Sequence, residues 1–146
     1  MIINMMEKNP ELFKNPLVEN LFEMGSIIKP LTLASALDAG VVSPQETYFD
    51  NGSVEILGKI ISNSDKKKRG ISTMQDILGY SLNVGAVFVE NKLGHEKFLQ
   101  YLKALGFDEE TGIDLPNEVS DNISNLKLRR NDVEYATASF GQGIAL

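Results

Sequence analysis

Ser26-Ile27-Ile28-Lys29 sets an amine three residues after a hydroxyl, and residues three apart on a helix share a face. A free serine hydroxyl is a weak nucleophile. A lysine desolvated in an apolar pocket has a lowered pKa and can take the serine proton. Gly25, just before, leaves room for a substrate at the start of the helix, where outward-pointing backbone N–H groups can stabilise an oxyanion. The plainer alternative is that Ser26 is an ordinary helix N-cap. The same spacing recurs in Ser64-Asp65-Lys66-Lys67 and Ser124-Asn125-Leu126-Lys127, but both lie in polar stretches read as loops. Only Ser26 opens an apolar segment able to bury the amine.

A second polar pair, Ser81-Leu82-Asn83, lies between two expected helices, where a short loop can present a hydroxyl and an amide to Lys29. Its structural alternative is again capping, with Asn83 ahead of Val84. Ser120-Asp121-Asn122 has the same hydroxyl-to-amide spacing in a turn-rich loop. His95 stands alone without a second histidine or an H-x-x-x-H spacing, so it reads as a surface residue and no metal is expected. Asp108-Glu109-Glu110 and Asp114 lack the periodicity of a calcium loop and read as solvated acids. Gly141-Gln142-Gly143 follows an expected helix rather than a strand, which fits a close-packing turn and not a dinucleotide fingerprint.

The elements that must position these groups are mostly helical. Residues 26 to 39 are apolar almost all round and end at Gly40, the pattern of a helix buried on most sides. Pro30 falls inside its first turn, which favours a tighter start. Asn51-Gly52, between Tyr48-Phe49 and Val54/Ile56, predicts a β-hairpin. Asp65-Lys66-Lys67-Lys68-Arg69 reads as a solvated loop. Ser72 and Gln75 suggest a capping box that starts a short helix ending near Gly79 or Tyr80. Two helices follow, Val84 to Leu93 and Glu96 to Leu105, stopped by Gly94 and Gly106, with Phe98, Leu102 and Leu105 on one face of the second. Asn131 and Glu134 cap a last helix carrying Val133, Ala136 and Phe140.

Composition bounds the function. The 146 residues give room for one domain, and 42% hydrophobic with 23% charged residues is ordinary for a globular chain. A net charge of -6 excludes the basic footprint of a nucleic-acid binder. The absence of cysteine excludes disulfides and thiolate metal sites. Met1 to Lys8 carries too short an apolar run for a signal peptide, and no later run approaches 18 apolar residues.

Four blocks in order carry a family resemblance: Phe22-Glu23-Met24-Gly25-Ser26-Ile27-Ile28-Lys29-Pro30, Tyr80-Ser81-Leu82-Asn83-Val84-Gly85-Ala86, Thr111-Gly112-Ile113-Asp114-Leu115-Pro116 and Ala138-Ser139-Phe140-Gly141-Gln142-Gly143. Together they resemble the transpeptidase domain of penicillin-binding proteins, most closely the class B D,D-transpeptidases of septal or elongation peptidoglycan synthesis, over about residues 15 to 146. The resemblance implies an α/β, serine β-lactamase-like fold, of which this chain is mainly the helical part with a small β element and the Ser26 helix central. It implies that Ser26 attacks the penultimate D-alanine carbonyl of a D-Ala-D-Ala stem peptide, with Lys29 as general base. Ser81 would relay a proton, and Asn83 would bind the peptide amide and help hold Lys29. Peptidoglycan stem peptides, β-lactams trapped on the same serine, and cell-wall synthesis proteins are the implied partners. No cofactor is implied. The implied location is the outer face of the bacterial cytoplasmic membrane.

Two departures accompany the resemblance. No K-[ST]-G occurs in the chain; in the family that strand gives a substrate-docking edge and one of two oxyanion N–H groups, the other implied here being that of Ser26. The anchor, pedestal domain and early strands are also lacking, so the chain reads as a partial transpeptidase domain over 1–146, weakly active or inactive alone, with apolar surface that favours self-association. Ser120-Asp121-Asn122 is spelled more like the S-D-N of β-lactamases than Ser81-Leu82-Asn83 is. A penicillin sensor or inactive binding module, or a helical interaction domain in which these motifs are caps, are the competing functions.

Overall fold

The computed structural model describes residues 10–119, 123–128 and 131–145. After a short helix α1, Pro16–Glu19, the Ser26 segment begins as a 3₁₀ turn, Gly25–Ile28, that passes directly into α2, Lys29–Asp38. Pro30 thus sits in the first turn of α2, where a missing N–H breaks no intrahelical bond. The tight start expected from Pro30 forms. α2 is less enclosed than its composition suggested: Lys29, Thr32, Leu33, Ser35 and Ala36 are buried, while Pro30, Ala34 and Leu37 face outward.

The hairpin expected across Asn51-Gly52 does not form. Strand β1, Thr47–Asp50, pairs instead with β4, Gly70–Thr73, and β2, Ser53–Ile56, pairs with β3, Lys59–Ser62, both antiparallel. The cause is Asp50, which is fully buried. Its carboxylate accepts the Gly52 N–H (2.8 Å) and the Asn63 Nδ2 at both oxygens (3.0 and 2.9 Å). This folds Asn51-Gly52 into a corner between two small sheets. The hairpin turn is Leu57-Gly58, both in the left-handed region (φ 50 and 79), as a two-residue turn of this kind requires.

Helix α3, Met74–Gly79, starts one residue later than Ser72 and Gln75 suggested. Ser72 is committed to β4 opposite Tyr48, so Thr73 becomes the N-cap and Asp76 its reciprocal partner. Helix α4, Asn83–Leu93, is the hub: α2, α3, β1, β3, α5 (His95–Ala104) and α7 (Asp132–Ala138) all pack on it. The central helix is therefore the one that follows Ser81, with the Ser26 helix laid against it. Gly85 makes this possible, since a Cβ there would lie 2.5 Å from Ile77 and 2.6 Å from the Tyr48 hydroxyl. On α5, Phe98 and Leu102 are buried but Leu105 is half exposed. Helix α6, Ser124–Leu128, packs on α7, which Asn131 caps as expected by accepting the Glu134 N–H (2.9 Å).

His95 is more than a surface residue. Its Nδ1 meets Glu90 Oε1 at 2.7 Å and its Nε2 meets Asp132 Oδ1 at 3.1 Å, while the ring stacks on Tyr135 at 4.2 Å. Only the imidazolium donates at both nitrogens, and Glu90 lies fully buried beneath it. Burial pulls the His95 pKa down, but the bonds to Glu90 and Asp132 outweigh it and leave the pKa raised above 6.5. A raised folded-state pKa stabilises fully below the unfolded value, and that stability is lost as pH rises through the folded value. Stability measured by urea unfolding should therefore fall as pH rises through the raised His95 pKa. His95→Gln should flatten that dependence. The chain has one histidine, so its Cε1–H NMR signal reads the pKa directly, and a value at or below 6.5 would contradict the clamp.

Candidate functional site

Lys29 is buried to 2% exposure, whereas Ser26, one turn earlier, is exposed. An ammonium has three donors, and all three are used: Nζ donates to Ser26 Oγ at 3.1 Å, to the Ser81 carbonyl at 2.6 Å and to Ser81 Oγ at 2.9 Å. Ser26 is not an N-cap: it lies inside the 3₁₀ turn, whose N-cap position is Met24, and the N-cap position of α2 is Ile28. Burial lowers the Lys29 pKa from 10.5 to about 8. When neutral, the amine can keep two N–H bonds to Ser81 and turn its lone pair to the Ser26 hydroxyl. That is the geometry in which a base removes the proton of an attacking serine.

Ser81 reaches Lys29 because of how α3 ends. The Leu82 N–H donates to the Ile77 carbonyl (2.9 Å) and the Ser81 N–H to the Leu78 carbonyl (3.2 Å), the bond pair of a Schellman motif with Ser81 at C′. That position is left-handed, φ 54, and ordinarily takes glycine, since a Cβ there costs about 1–2 kcal/mol. The reversal aims both the carbonyl and the hydroxyl of one residue at the same ammonium. Asn83, expected to help hold Lys29, has another partner: its Nδ2 donates to the Ser62 carbonyl at 2.9 Å. At the first position of α4 its side chain points toward β3, and all three Lys29 bonds are already taken.

The last block backs the turn. Gly25 N–H donates to the Gly141 carbonyl at 3.0 Å, and a Cβ on Gly141 (φ 85) would fall 2.0 Å from the Gly25 carbonyl oxygen. Glu23 accepts the Gly143 N–H at 2.8 Å, and Thr32 Oγ1 donates to the Ser139 carbonyl at 2.9 Å. The close-packing role read for Gly141-Gln142-Gly143 is the one seen. The other candidates are elsewhere. Ser64 to Lys67 is an exposed turn, and Ser124 to Lys127 is helical rather than a loop, with Lys127 paired to Asp108. Asp108 is thus an ion-pair partner, while Glu109, Glu110 and Asp114 are exposed. Ser120-Asp121-Asn122 lies outside the described residues. Among the described residues, no cluster of three metal-ligating side chains is present.

Sequence reading missed the buried Asp50 and Asn63 that tie the β corner to the start of α4, where Asn63 Oδ1 accepts the Val84 N–H at 3.1 Å. The available signal was period-two alternation, which places Asp50 on the same inward face as Tyr48. A surface cleft lined by Leu17, Leu21, Phe22, Ile113 and Val119 does not include the Ser26–Lys29–Ser81 group, and it is the hydrogen-bond geometry that marks the site.

A hydroxyl, a buried amine and a second hydroxyl thus meet on a helix-rich scaffold with small antiparallel sheets. The sequence model for the penicillin binding protein transpeptidase domain matches residues 3–146, and the chain belongs to that family. Stage V sporulation protein D of Bacillus subtilis is 34% identical over 140 residues, covering 94% of this chain and 22% of that protein. A peptidoglycan D,D-transpeptidase FtsI homolog of Mesostigma viride is 31% identical over 146 residues, covering 93% and 24%. The chain spans under a quarter of the length of these relatives. Among solved structures, a peptidoglycan glycosyltransferase from Burkholderia ambifaria superposes with a TM-score of 0.84 at 25% identity, covering 92% of this chain and 42% of that one. Penicillin binding protein 3 from Mycobacterium tuberculosis, complexed with aztreonam, superposes with a TM-score of 0.80 at 26% identity, covering 90% and 29%. The fold is thus the penicillin-binding-protein transpeptidase fold, as the sequence blocks implied.

Two substitutions probe the frame. Gly141→Ala forces a side chain into the Gly25 backbone and should lower stability by about 2 kcal/mol or more, visible as a drop of roughly 5 °C in Tm. Ser81→Gly removes left-handed strain along with one Lys29 acceptor, so its Tm should equal or exceed that of the parent chain while any reaction at Ser26 slows.

Proposed function

We propose that the chain carries the serine acyl-enzyme machinery of a peptidoglycan D,D-transpeptidase. The observation that carries this reading is the convergence of Ser26, Lys29 and Ser81, with Lys29 Nζ at 3.1 Å from the first hydroxyl and 2.9 Å from the second. Ser26 Oγ attacks the carbonyl carbon of the penultimate D-alanine as neutral Lys29 takes the hydroxyl proton. The tetrahedral intermediate places its oxyanion at the Ser26 N–H, in a first turn that holds no intrahelical acceptor for it. The C–N bond to the terminal D-alanine breaks, and the departing amine receives the proton from Lys29 by way of Ser81. An amine from a neighbouring stem peptide resolves the ester by the reverse proton path, giving a crosslink. A β-lactam enters the same sequence with its ring amide, and the ester persists. Activity on peptidoglycan sets the working place of this chemistry at the outer face of the cytoplasmic membrane. Among the described residues, no helix is long and apolar enough to cross a membrane.

Labelling with a fluorescent penicillin tests this, on the chain as it stands and on a version extended through a K-[ST]-G strand, whose added oxyanion donor should speed acylation about 10²- to 10³-fold. A covalent adduct on Ser26, absent in Ser26→Ala and slowed about 10²- to 10⁴-fold in Lys29→Ala, is the expected result. Since the reactive form has Lys29 neutral, the labelling rate should rise with pH around a midpoint near 8. Folded protein that labels in neither form would overturn the reading.

A further inference from the structure

We infer that Asp50 and Asn63 are positioning residues for the acylation step, holding the Ser81 turn against Lys29 through the first residues of α4; this rests on the function proposed above. Both side chains are buried, Asp50 at 0% and Asn63 at 2% exposure, and neither touches Ser26 or Lys29. Their bonds form one directed chain. Gly52 N–H and Asn63 Nδ2 donate to the Asp50 carboxylate, and Asn63 Oδ1 accepts the Val84 N–H at 3.1 Å. One residue earlier on each segment, Asn83 Nδ2 donates to the Ser62 carbonyl at 2.9 Å. Residues 62 and 63 therefore grip 83 and 84 through two side-chain bonds, with only Leu82 between them and the strained Ser81.

The direction of the chain is what Asp50 supplies. A carboxylate only accepts, so it fixes the Asn63 amide with its NH₂ toward Asp50 and its oxygen toward Val84. Without that bias the amide can turn over, putting a donor against the Val84 N–H and freeing the start of α4. The Ser81 turn is held on its other side by the Ser81 and Leu82 backbone bonds into α3, against a φ of 54 that is itself unfavourable. Its two contacts to Lys29 are the proton path itself. A displacement of about 1 Å at such a point can lower a rate about 10²-fold.

Substitutions that alter direction but hardly alter volume separate this role from bulk stability. In Asp50→Asn the new amide no longer accepts at both positions, and the acylation rate constant of Ser26 by fluorescent penicillin should fall about 10²-fold. The concentration dependence of labelling, which reports the prior non-covalent binding, should stay within about threefold. Adding Asn63→Asp rebuilds the direction of the chain, giving up only the second Asp50–Asn63 contact and the long bond from Asn63 Nδ2 to the Lys67 carbonyl (3.5 Å). The amide now at position 50 accepts the Gly52 N–H with its oxygen and donates with its nitrogen to the carboxylate now at position 63, which in turn accepts the Val84 N–H. The double variant should recover the acylation rate to within about threefold. The measurement uses the 146-residue chain, or its extended form where the signal is stronger. A parent that fails to label overturns this inference together with the proposed function. A parent that labels while Asp50→Asn acylates equally fast overturns this inference alone, as does a folded double variant that stays slow. If Asp50→Asn is unfolded at the assay temperature, the double variant decides: folded with a parental rate it supports the inference, and folded but slow it overturns it.

Discussion

An ammonium group withdrawn from water is the constraint around which this structure is arranged. A lysine at 2% exposure is tolerable only where acceptors replace its hydration, and here three oxygens do so, two from one serine. The same burial that makes the charge expensive brings the neutral form within reach near pH 8. Stability and reactivity therefore draw on one arrangement in opposite senses: the oxygens hold the proton on Lys29, and the apolar surroundings loosen it.

Everything that touches this group is held from elsewhere. α2 supplies Lys29 and the turn before it supplies Ser26 on the same face, the end of α3 supplies Ser81, and α4 is the surface on which both helices rest. The Ser81 position shows a local rule set aside: a C′ residue in left-handed conformation favours glycine, and the chain keeps a serine whose hydroxyl and carbonyl are both engaged. Such local strain persists when surrounding structure over-determines it. Here the surroundings are the Leu82 and Ser81 backbone bonds into α3 on one side and the residue 62–63 grip on α4 on the other.

Much of this was legible in the sequence, for identifiable reasons. Helix positions followed from apolar spacing, caps and terminal glycines, and the Asn131 cap and the Pro30-tightened turn came out as read. The Ser26–Lys29 pairing is local, so its spacing sufficed. What was hidden is non-local. Asn51-Gly52 carries the residues of a hairpin turn, but a buried carboxylate at Asp50 bound Asn63 and redirected the strands, and no short window contains both residues. Asn83 was placed correctly in the chain but assigned the wrong neighbour, because its direction depends on where β3 lies. His95, solitary in sequence, gained two carboxylates from α4 and α7, a meeting that periodicity cannot show.

The ties behind the Ser26 turn have a consequence for the order in which the molecule assembles. Gly143 reaches Glu23 across a sequence separation of 120 residues, and Thr32 reaches Ser139 across 107. Closing loops of that length is entropically demanding and is delayed until nearer contacts have formed. During synthesis, moreover, the Ser26 segment leaves the ribosome long before the residues that brace it. The β corner, α3, α4 and α5 can consolidate among themselves first. The Ser26 turn is then set late, when Ser139 to Gly143 dock behind it, so its geometry matures only after the elements around it have formed.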